Sequence, residues 1–235
     1  AGLTPVIKSQ GDPIAANEVN LQIMPPPDMP PALAARKIDA FIVAEPFNAV
    51  GEMLAGGKML RFTGDIWRNH PCCVVCMNEN QVNANPTWTQ KVMNAIVKAQ
   101  IYSQQNKKEV AHLLSKDGEG YLPMDANIVE QAMTLYDEES YADPEAIQNA
   151  EWGSGRIDFQ PWPFPSATKL IINELKRTLV GGDTTFLQNL DPDFVVNDLV
   201  DYKFVKAAMD KHPGWKQAPG FNADNPFDRE EVVKL

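Results

Sequence analysis

Three cysteines lie within five residues of one another, at Cys72, Cys73 and Cys76. The spacing C-C-x-x-C could serve a redox pair formed by Cys73 and Cys76, or it could ligate a metal ion. A structural zinc site usually needs four ligands, and the chain has no second cysteine pair to supply them. The intervening valines favour a strand, in which the thiols would be small buried apolar groups. The pattern leaves the three interpretations open and favours the third, so we predict no metal site.

Glu45 is the most informative carboxylate in the chain. It directly follows the apolar run 38–43, which predicts a strand that is covered on both faces of a parallel sheet. Ligands of open α/β sheets bind just beyond the carboxyl ends of such strands. We therefore expect Glu45 and Asn48 to contact a ligand, and Phe47 to supply an apolar wall.

His70 precedes Pro71 at the start of the predicted strand 72–77, and Trp67 lies one helical turn before it. We expect both side chains to line the same ligand site. The chain contains no nucleophile elbow, zinc-protease helix motif or phosphate-binding loop. The sequence therefore predicts no catalytic residue and no cofactor.

Secondary-structure signals change along the chain. Apolar and polar residues alternate at 19–24, and apolar runs occur at 38–43 and 72–77; these three segments predict strands in the first third, with a short helix after Asp28 and another that ends at Gly56. The later part shows helical periodicity. Starts are predicted at Asn85-Pro86, Asp125, Ser166, Asp191-Pro192 and Tyr202, with a further short helix around Val110.

Composition excludes some classes of function. The 235 residues carry 31 acidic and 21 basic side chains, and the formal net charge is −10. Nucleic-acid binding needs a clustered basic surface, so we expect no nucleic-acid partner. We find no apolar run of membrane-spanning length and no signal peptide in the chain.

Four segments together resemble one family of proteins. They are ALAARKIDAFIVAEPF at 32–47, GDIWRNHPCC at 64–73, RIDFQPWP at 156–163 and LDPDF at 190–194. Their order and spacing resemble the periplasmic substrate-binding proteins of ABC importers, in the branch for nitrate, sulfonate, taurine and bicarbonate. The resemblance covers most of the chain up to about residue 215.

The resemblance implies a type II periplasmic-binding fold with two α/β lobes and a ligand held in the cleft between them. Residues 1–76 would be the remainder of the second lobe, 77–212 a helical segment returning to the first, and 213–235 an irregular tail. The family's N-terminal lobe would then be missing from this chain. The protein would lie in the periplasm or elsewhere outside the cytoplasm, deliver its ligand to a membrane permease, and catalyse no reaction.

Two alternatives share this fold. The thiamine-pyrimidine precursor synthases carry a cysteine-rich iron motif, and this chain keeps three of its four cysteines, at Cys72, Cys73 and Cys76. A sensor or interaction protein that does not transport is the other alternative. Within the transporter interpretation, Glu45 favours a ligand that brings a positive charge or a hydroxyl donor, such as an aminosulfonate or bicarbonate.

Overall fold

The fold was analysed in a computed structural model of the chain. The described residues are 22–134, 137–143, 145–176, 183, 185–217 and 221–234, together with the backbone of four two-residue strands. Within these residues the architecture is mainly helical. The helices are α1 (Met29–Ala34), α2 (Phe47–Ala55), α3 (Thr63–Ile66), α4 (Glu79–Ala84), α5 (Pro86–Gln105), α6 (Lys107–Leu114), α7 (Ala126–Thr134), α8 (Pro165–Leu175), α9 (Thr185–Gln188), α10 (Pro192–Leu199) and α11 (Tyr202–Lys211).

The described strands form two small antiparallel ladders. Strand β1 (Leu3–Thr4) pairs with β4 (Leu179–Val180), with Leu3 opposite Val180. Strand β2 (Lys8–Ser9) pairs with β3 (Asp12–Pro13), with Ser9 opposite Asp12. These ladders do not amount to the central sheet of an α/β lobe, so the predicted sheet is not found in the described part of the chain.

The predicted strands at 38–43 and 72–77 are wrong: both segments are irregular. Ile42 is 78% exposed and Val74 is 73% exposed. A parallel strand is stabilised by neighbouring strands and by cover on both faces. The described residues provide neither for these segments, so their apolar pattern does not produce a sheet. The predicted strand 19–24 lies partly outside the described residues, and its last three residues are irregular.

The helical predictions are confirmed where the structure describes them. Pro86 opens the 20-residue helix α5 as predicted, but the Asn85 side chain does not cap this helix and donates instead to Gln81 Oε1 at 3.2 Å. Asp191 caps α10 by accepting a hydrogen bond from the Asp193 backbone amide. Helix α2 ends at Gly56, whose φ of 66° is the left-handed conformation that glycine adopts without strain. Helix α7 begins directly after Asp125, as predicted, and buries Ile128, Val129, Ala132 and Met133.

Two apolar cores hold the helices together. In the first core, α7 packs against both α2 and α6; its buried residues are Ala49, Val110, Ala111, Met124, Ile128, Val129, Ala132 and Met133. In the second core, α5 packs against α11, and residues at and before the start of α8 join them; its buried residues are Val97, Trp162, Phe164, Ala167, Val205, Ala208, Met209 and Trp215. Removal of these side chains from water drives the packing of the helices.

The C-terminal tail is ordered against the second core. Trp162 donates a hydrogen bond to the Phe227 carbonyl at 2.9 Å, and the two rings lie 4.6 Å apart between centroids. Further along, the Lys234 amide donates to the Ile66 carbonyl at 2.9 Å, and the Arg68 amide donates to the Val232 carbonyl at 3.0 Å. The tail therefore fixes the segment that follows α3, although its sequence shows no periodicity. Among the described residues, no helix is both long and apolar enough to cross a membrane.

Candidate functional site

Glu45 lies at the turn that leads into α2. Its Oε2 accepts a hydrogen bond from the Ala49 backbone amide at 3.2 Å, which satisfies one of the free amides at the start of that helix. Asn48, on the first turn, donates from Nδ2 to the Val43 carbonyl at 2.6 Å. Phe47 is half-buried and packs against the first core. These three predicted site residues are therefore held together at the N-terminus of α2.

Arg156 occupies the centre of this region. Its side chain is 0% exposed, and its Nε donates to Glu45 Oε1 at 2.8 Å. Its Nη2 donates to Glu52 Oε2 at 2.5 Å, and its Nη1 donates to the Tyr141 hydroxyl at 2.6 Å. We call Glu45, Glu52, Tyr141 and Arg156 the Arg156 cluster.

An aromatic wall completes the environment of the guanidinium. The Phe62 ring centroid lies 5.5 Å from Arg156 Cζ, and the Phe62 and Tyr141 rings meet edge to face with centroids 4.9 Å apart. A desolvated cation over an aromatic ring is stabilised by the quadrupole of the ring. Arg156 is therefore fixed by three polar partners and by ring contacts, and it joins the N-terminus of α2 to the region of Tyr141.

The Arg156 cluster is one positive charge short. It pairs two carboxylates with a single guanidinium, and burial raises the pKa of Glu45 by more than Arg156 lowers it. Burial alone would lower the pKa of Arg156, but the charge of Glu45 and the hydrogen bond to Glu52 outweigh this effect and raise that pKa. The cluster therefore favours an added proton or an added positive charge near Glu45.

Trp67 and His70 form a separate group after α3. Their rings meet edge to face with centroids 5.3 Å apart. Burial lowers the pKa of His70, so the imidazole is neutral at neutral pH and offers one donor and one acceptor.

The indole of Trp67 donates from Nε1 to Glu231 Oε2 at 2.7 Å. Glu231 Oε1 accepts from the Ser166 hydroxyl at 2.8 Å and from Arg229 Nε at 2.7 Å. Arg229 also donates to the Asn69 carbonyl at 3.0 Å and lies over the Phe164 ring. We call Trp67, Ser166, Arg229 and Glu231 the Glu231 cluster.

The five predicted site residues thus form two groups. Glu45, Phe47 and Asn48 lie at the start of α2, while Trp67 and His70 lie beyond α3. Phe62 contacts Arg156 immediately before α3, so this four-residue helix separates the two groups along the chain. Asp65 within α3 is buried and accepts hydrogen bonds from the backbone amides of Gln148 and Asn149, both at 2.8 Å. These contacts fix α3 against the later part of the chain.

The three cysteines are free and exposed, so their interpretation as buried apolar groups is wrong. The segment is irregular, and no strand carries the thiols into a core. Within the described residues, no group of three or more histidine, cysteine or acidic side chains is arranged to hold a metal ion.

Two clefts occur in the helical half. One of about 430 Å³ is lined by residues 104–109, and one of about 140 Å³ lies between Ile101, Phe159 and Trp215. None of the five predicted site residues lines either cleft.

Local sequence patterns do not single out the residues that organise the two groups. Arg156 lies in segment 156–163, one of the segments on which the family resemblance rests. A lone arginine among apolar residues is the local feature that indicates a carboxylate partner such as Glu45. Tyr141 and Glu52 carried no such signal. Arg229 and Glu231 lie in a tail without periodicity, so nothing in the pattern indicated their role.

Comparison with known proteins gives matches of two kinds. Residues 1–115 match the model of the NMT1-like family. The nitrate/nitrite binding protein NrtA of Nostoc sp. is 31% identical over 134 residues, which are 56% of this chain and 30% of that protein. No solved structure matches the chain.

Two matches are to ATP-binding proteins of Synechocystis sp. The nitrate import ATP-binding protein NrtC is 32% identical over 100 residues, which are 42% of this chain and 15% of that protein. The bicarbonate transport ATP-binding protein CmpC is 30% identical over 100 residues, with the same shares of the two chains. The chain thus spans about a third or less of the length of these relatives. The matches confirm that the chain resembles substrate-binding proteins of the nitrate type.

Proposed function

We propose that this chain is part of the solute-binding component of an ABC importer. The match to the nitrate/nitrite binding protein of Nostoc sp. carries this proposal, together with the match of residues 1–115 to the NMT1-like family. The component would work outside the cytoplasm and deliver its ligand to a membrane permease. It would bind its ligand without catalysing a reaction.

The ligand would lie against the N-terminus of α2. Glu45 and Asn48 would supply polar contacts, Phe47 and Trp67 apolar walls, and His70 a neutral donor or acceptor. Asn48 Oδ1 is available for this purpose because the amide nitrogen is the group that binds Val43. For Trp67 and His70 to contact the same ligand as Glu45, either the ligand itself or a second lobe must extend across α3.

A second lobe would complete the cleft and close over the ligand by hinge motion. The support for it is the 30% share of the Nostoc protein that this chain spans. Segment 38–43 offers a place for such pairing, because it is irregular in this chain and Ile42 is 78% exposed. The lobe would come from another polypeptide segment that pairs with segment 38–43.

The charge of the Arg156 cluster bears on the identity of the ligand. A bare anion such as nitrate would approach two carboxylates that share one guanidinium. Bicarbonate can donate a hydroxyl hydrogen to Glu45, and an aminosulfonate can place its ammonium group there. We therefore propose bicarbonate or an amine-bearing anion over nitrate.

The test is a panel of candidate ligands measured by thermal unfolding. Nitrate, bicarbonate and taurine would each be added to the chain at increasing concentration. A ligand present at 100 times its dissociation constant stabilises the native state by about 2.7 kcal/mol. We expect bicarbonate or taurine to raise the melting temperature more than nitrate does. A larger rise with nitrate would contradict the proposed ligand. No rise with any of the three would contradict binding by this chain without the second lobe.

The same samples distinguish the alternatives. An iron-dependent synthase would retain iron through purification and lose it in Cys76→Ser. A sensor or interaction protein would show neither iron nor a ligand-dependent shift, and would instead co-purify with a protein partner.

A further inference from the structure

Cys72 and Cys73 differ from Cys76 in one respect: their sulfur atoms are in contact. The Cys73 thiol donates to Cys72 Sγ across 3.5 Å. All three thiols are exposed, and no contact joins the Cys76 sulfur to either of the others in the described part of the chain. A disulfide brings two sulfurs to about 2.04 Å, and this pair is already in contact. Adjacent Cα atoms lie about 3.8 Å apart, below the usual disulfide range of about 4.4–6.8 Å, so a bond between the two would be strained.

The backbone around the pair is free to make that movement. Segment 72–77 is irregular, and its peptide groups make no backbone hydrogen bonds to other described residues. Val74 and Val75 are 73% and 47% exposed, so no core packing holds them in place. The segment is bounded by the Glu231 cluster at Asn69 and by the cap of α4 at Asn78. A local rearrangement between these two points would leave the cores unchanged.

We propose that Cys72 and Cys73 form a reversible redox pair that exchanges with small-molecule disulfides, while Cys76 remains a free thiol. This proposal is independent of the solute-binding function. In the first step, one thiolate of the pair attacks a sulfur of the external disulfide and releases one external thiolate. In the second step, the other thiolate attacks the protein sulfur of the mixed disulfide and releases the second external thiolate. The protein loses two hydrogens and gains one S–S bond, and the external disulfide is reduced to two thiols.

The exposure of the pair and the strain of a bond between neighbouring residues suit it to reversible exchange, because strained or exposed disulfides are reduced readily and serve regulatory roles. Partial burial and the hydrogen bond with Cys73 raise the pKa of Cys72, which keeps its thiolate scarce at neutral pH. Closure of the disulfide should therefore be faster at mildly alkaline pH than at neutral pH.

The test is mass spectrometry of the chain after incubation with oxidised glutathione. The tryptic peptide 69–91 contains all three cysteines and no internal cleavage site. After oxidation and alkylation, we expect that peptide to have lost about 2 Da by disulfide formation and to carry one alkyl group, located on Cys76. A reductant should restore three alkylated cysteines. Alkylation of Cys72 or Cys73 with Cys76 in the bond, alkylation of all three, or disulfide-linked dimers would each overturn the proposal.

Two variants provide matched controls. Cys76→Ser keeps the contacting sulfurs, so we expect it to lose the same mass. Cys73→Ser removes one of them, so we expect no internal disulfide and at most a mixed disulfide with glutathione. An internal disulfide in Cys73→Ser would show that Cys72 reaches Cys76 and would overturn the assignment of the pair. All three positions are exposed, so neither substitution disturbs a core.

Discussion

The Arg156 cluster and the Glu231 cluster both hold distant parts of the chain together, but they differ in their balance of charge. Each uses an arginine and a glutamate to fix a segment of the early chain to a distant part of the sequence. Arg156 lies 111 residues from Glu45, and Trp67 lies 164 residues from Glu231. The Arg156 cluster combines two carboxylates with one cation. The Glu231 cluster pairs one carboxylate with one cation and satisfies the remaining carboxylate hydrogen bonds with neutral donors.

This difference in charge distinguishes a cluster that holds the chain together from one that we propose binds a ligand. The charge of Glu231 is matched by that of Arg229, so a ligand would have no unpaired charge to neutralise there. The Arg156 cluster carries an excess negative charge, and burial raises the pKa of Glu45. Imperfectly compensated ionisable groups with shifted pKa values occur preferentially at functional sites. We therefore propose that the ligand lies against Glu45, while Arg229 and Glu231 hold Trp67 and the C-terminal tail in place.

Replacing Arg156 should have the largest effect on stability. Arg156→Met would leave Glu45 and Glu52 buried without their cation, and removing one partner of a buried pair costs about 3–5 kcal/mol. Urea unfolding would measure the loss. Lys58→Met is the control, because Lys58 pairs with Asp143 at the surface and exposed pairs contribute about 0–1 kcal/mol. Equal effects of the two variants would contradict the central place of Arg156.

Neutralising Glu231 should have an intermediate effect. Glu231→Gln keeps the shape of the side chain but leaves Arg229 without its carboxylate, and hydrogen bonds to charged groups contribute about 1.5–3 kcal/mol. We expect faster hydrogen exchange at the amides of Arg68 and Lys234, whose bonds depend on the docked tail. Unchanged exchange at both amides would show that the tail is held without Glu231.

The pH dependence that Glu45 contributes should be the smallest effect. The pKa of Glu45 in the folded chain is raised above its ordinary value of 4.5, so the folded state holds the proton more tightly than the unfolded state. This contribution to stability is present below pH 4.5 and is lost as the pH rises through the folded pKa.

Urea unfolding of the wild type and Glu45→Gln across that range would measure the contribution of Glu45. We expect the stability of the wild type to fall relative to the variant as the pH rises. His70 titrates in both proteins, so its contribution cancels in the difference. A difference that grows with pH would mean that Arg156 outweighs burial at Glu45.

The contrast between the clusters also shows which features the sequence could predict. The starts of α5 and α10 depend on Asn85-Pro86 and Asp191-Pro192, which act within one helical turn, and both were predicted. The apolar runs at 38–43 and 72–77 predicted strands, but a strand depends on neighbours that the described residues do not provide.

Glu45 was identified from its place after an apolar run, whereas Arg156 was not singled out. Its contacts with Glu45 and Glu52 cross more than a hundred residues, and no local pattern encodes such a pairing. The same holds for Glu231, whose partners Trp67 and Ser166 lie 164 and 65 residues away.

Calorimetric titration of the wild-type chain with bicarbonate and with taurine tests the central claim most directly. The same titrations would be made with Glu45→Gln and with Asp158→Asn, which removes a partly buried carboxylate paired with Lys107. The account predicts that one of the two ligands binds the wild type, that Glu45→Gln weakens binding by about tenfold or more, equivalent to at least about 1.4 kcal/mol, and that Asp158→Asn leaves it unchanged. Equal affinity of the wild type and Glu45→Gln for the bound ligand would contradict the assignment of the Arg156 cluster as the ligand site.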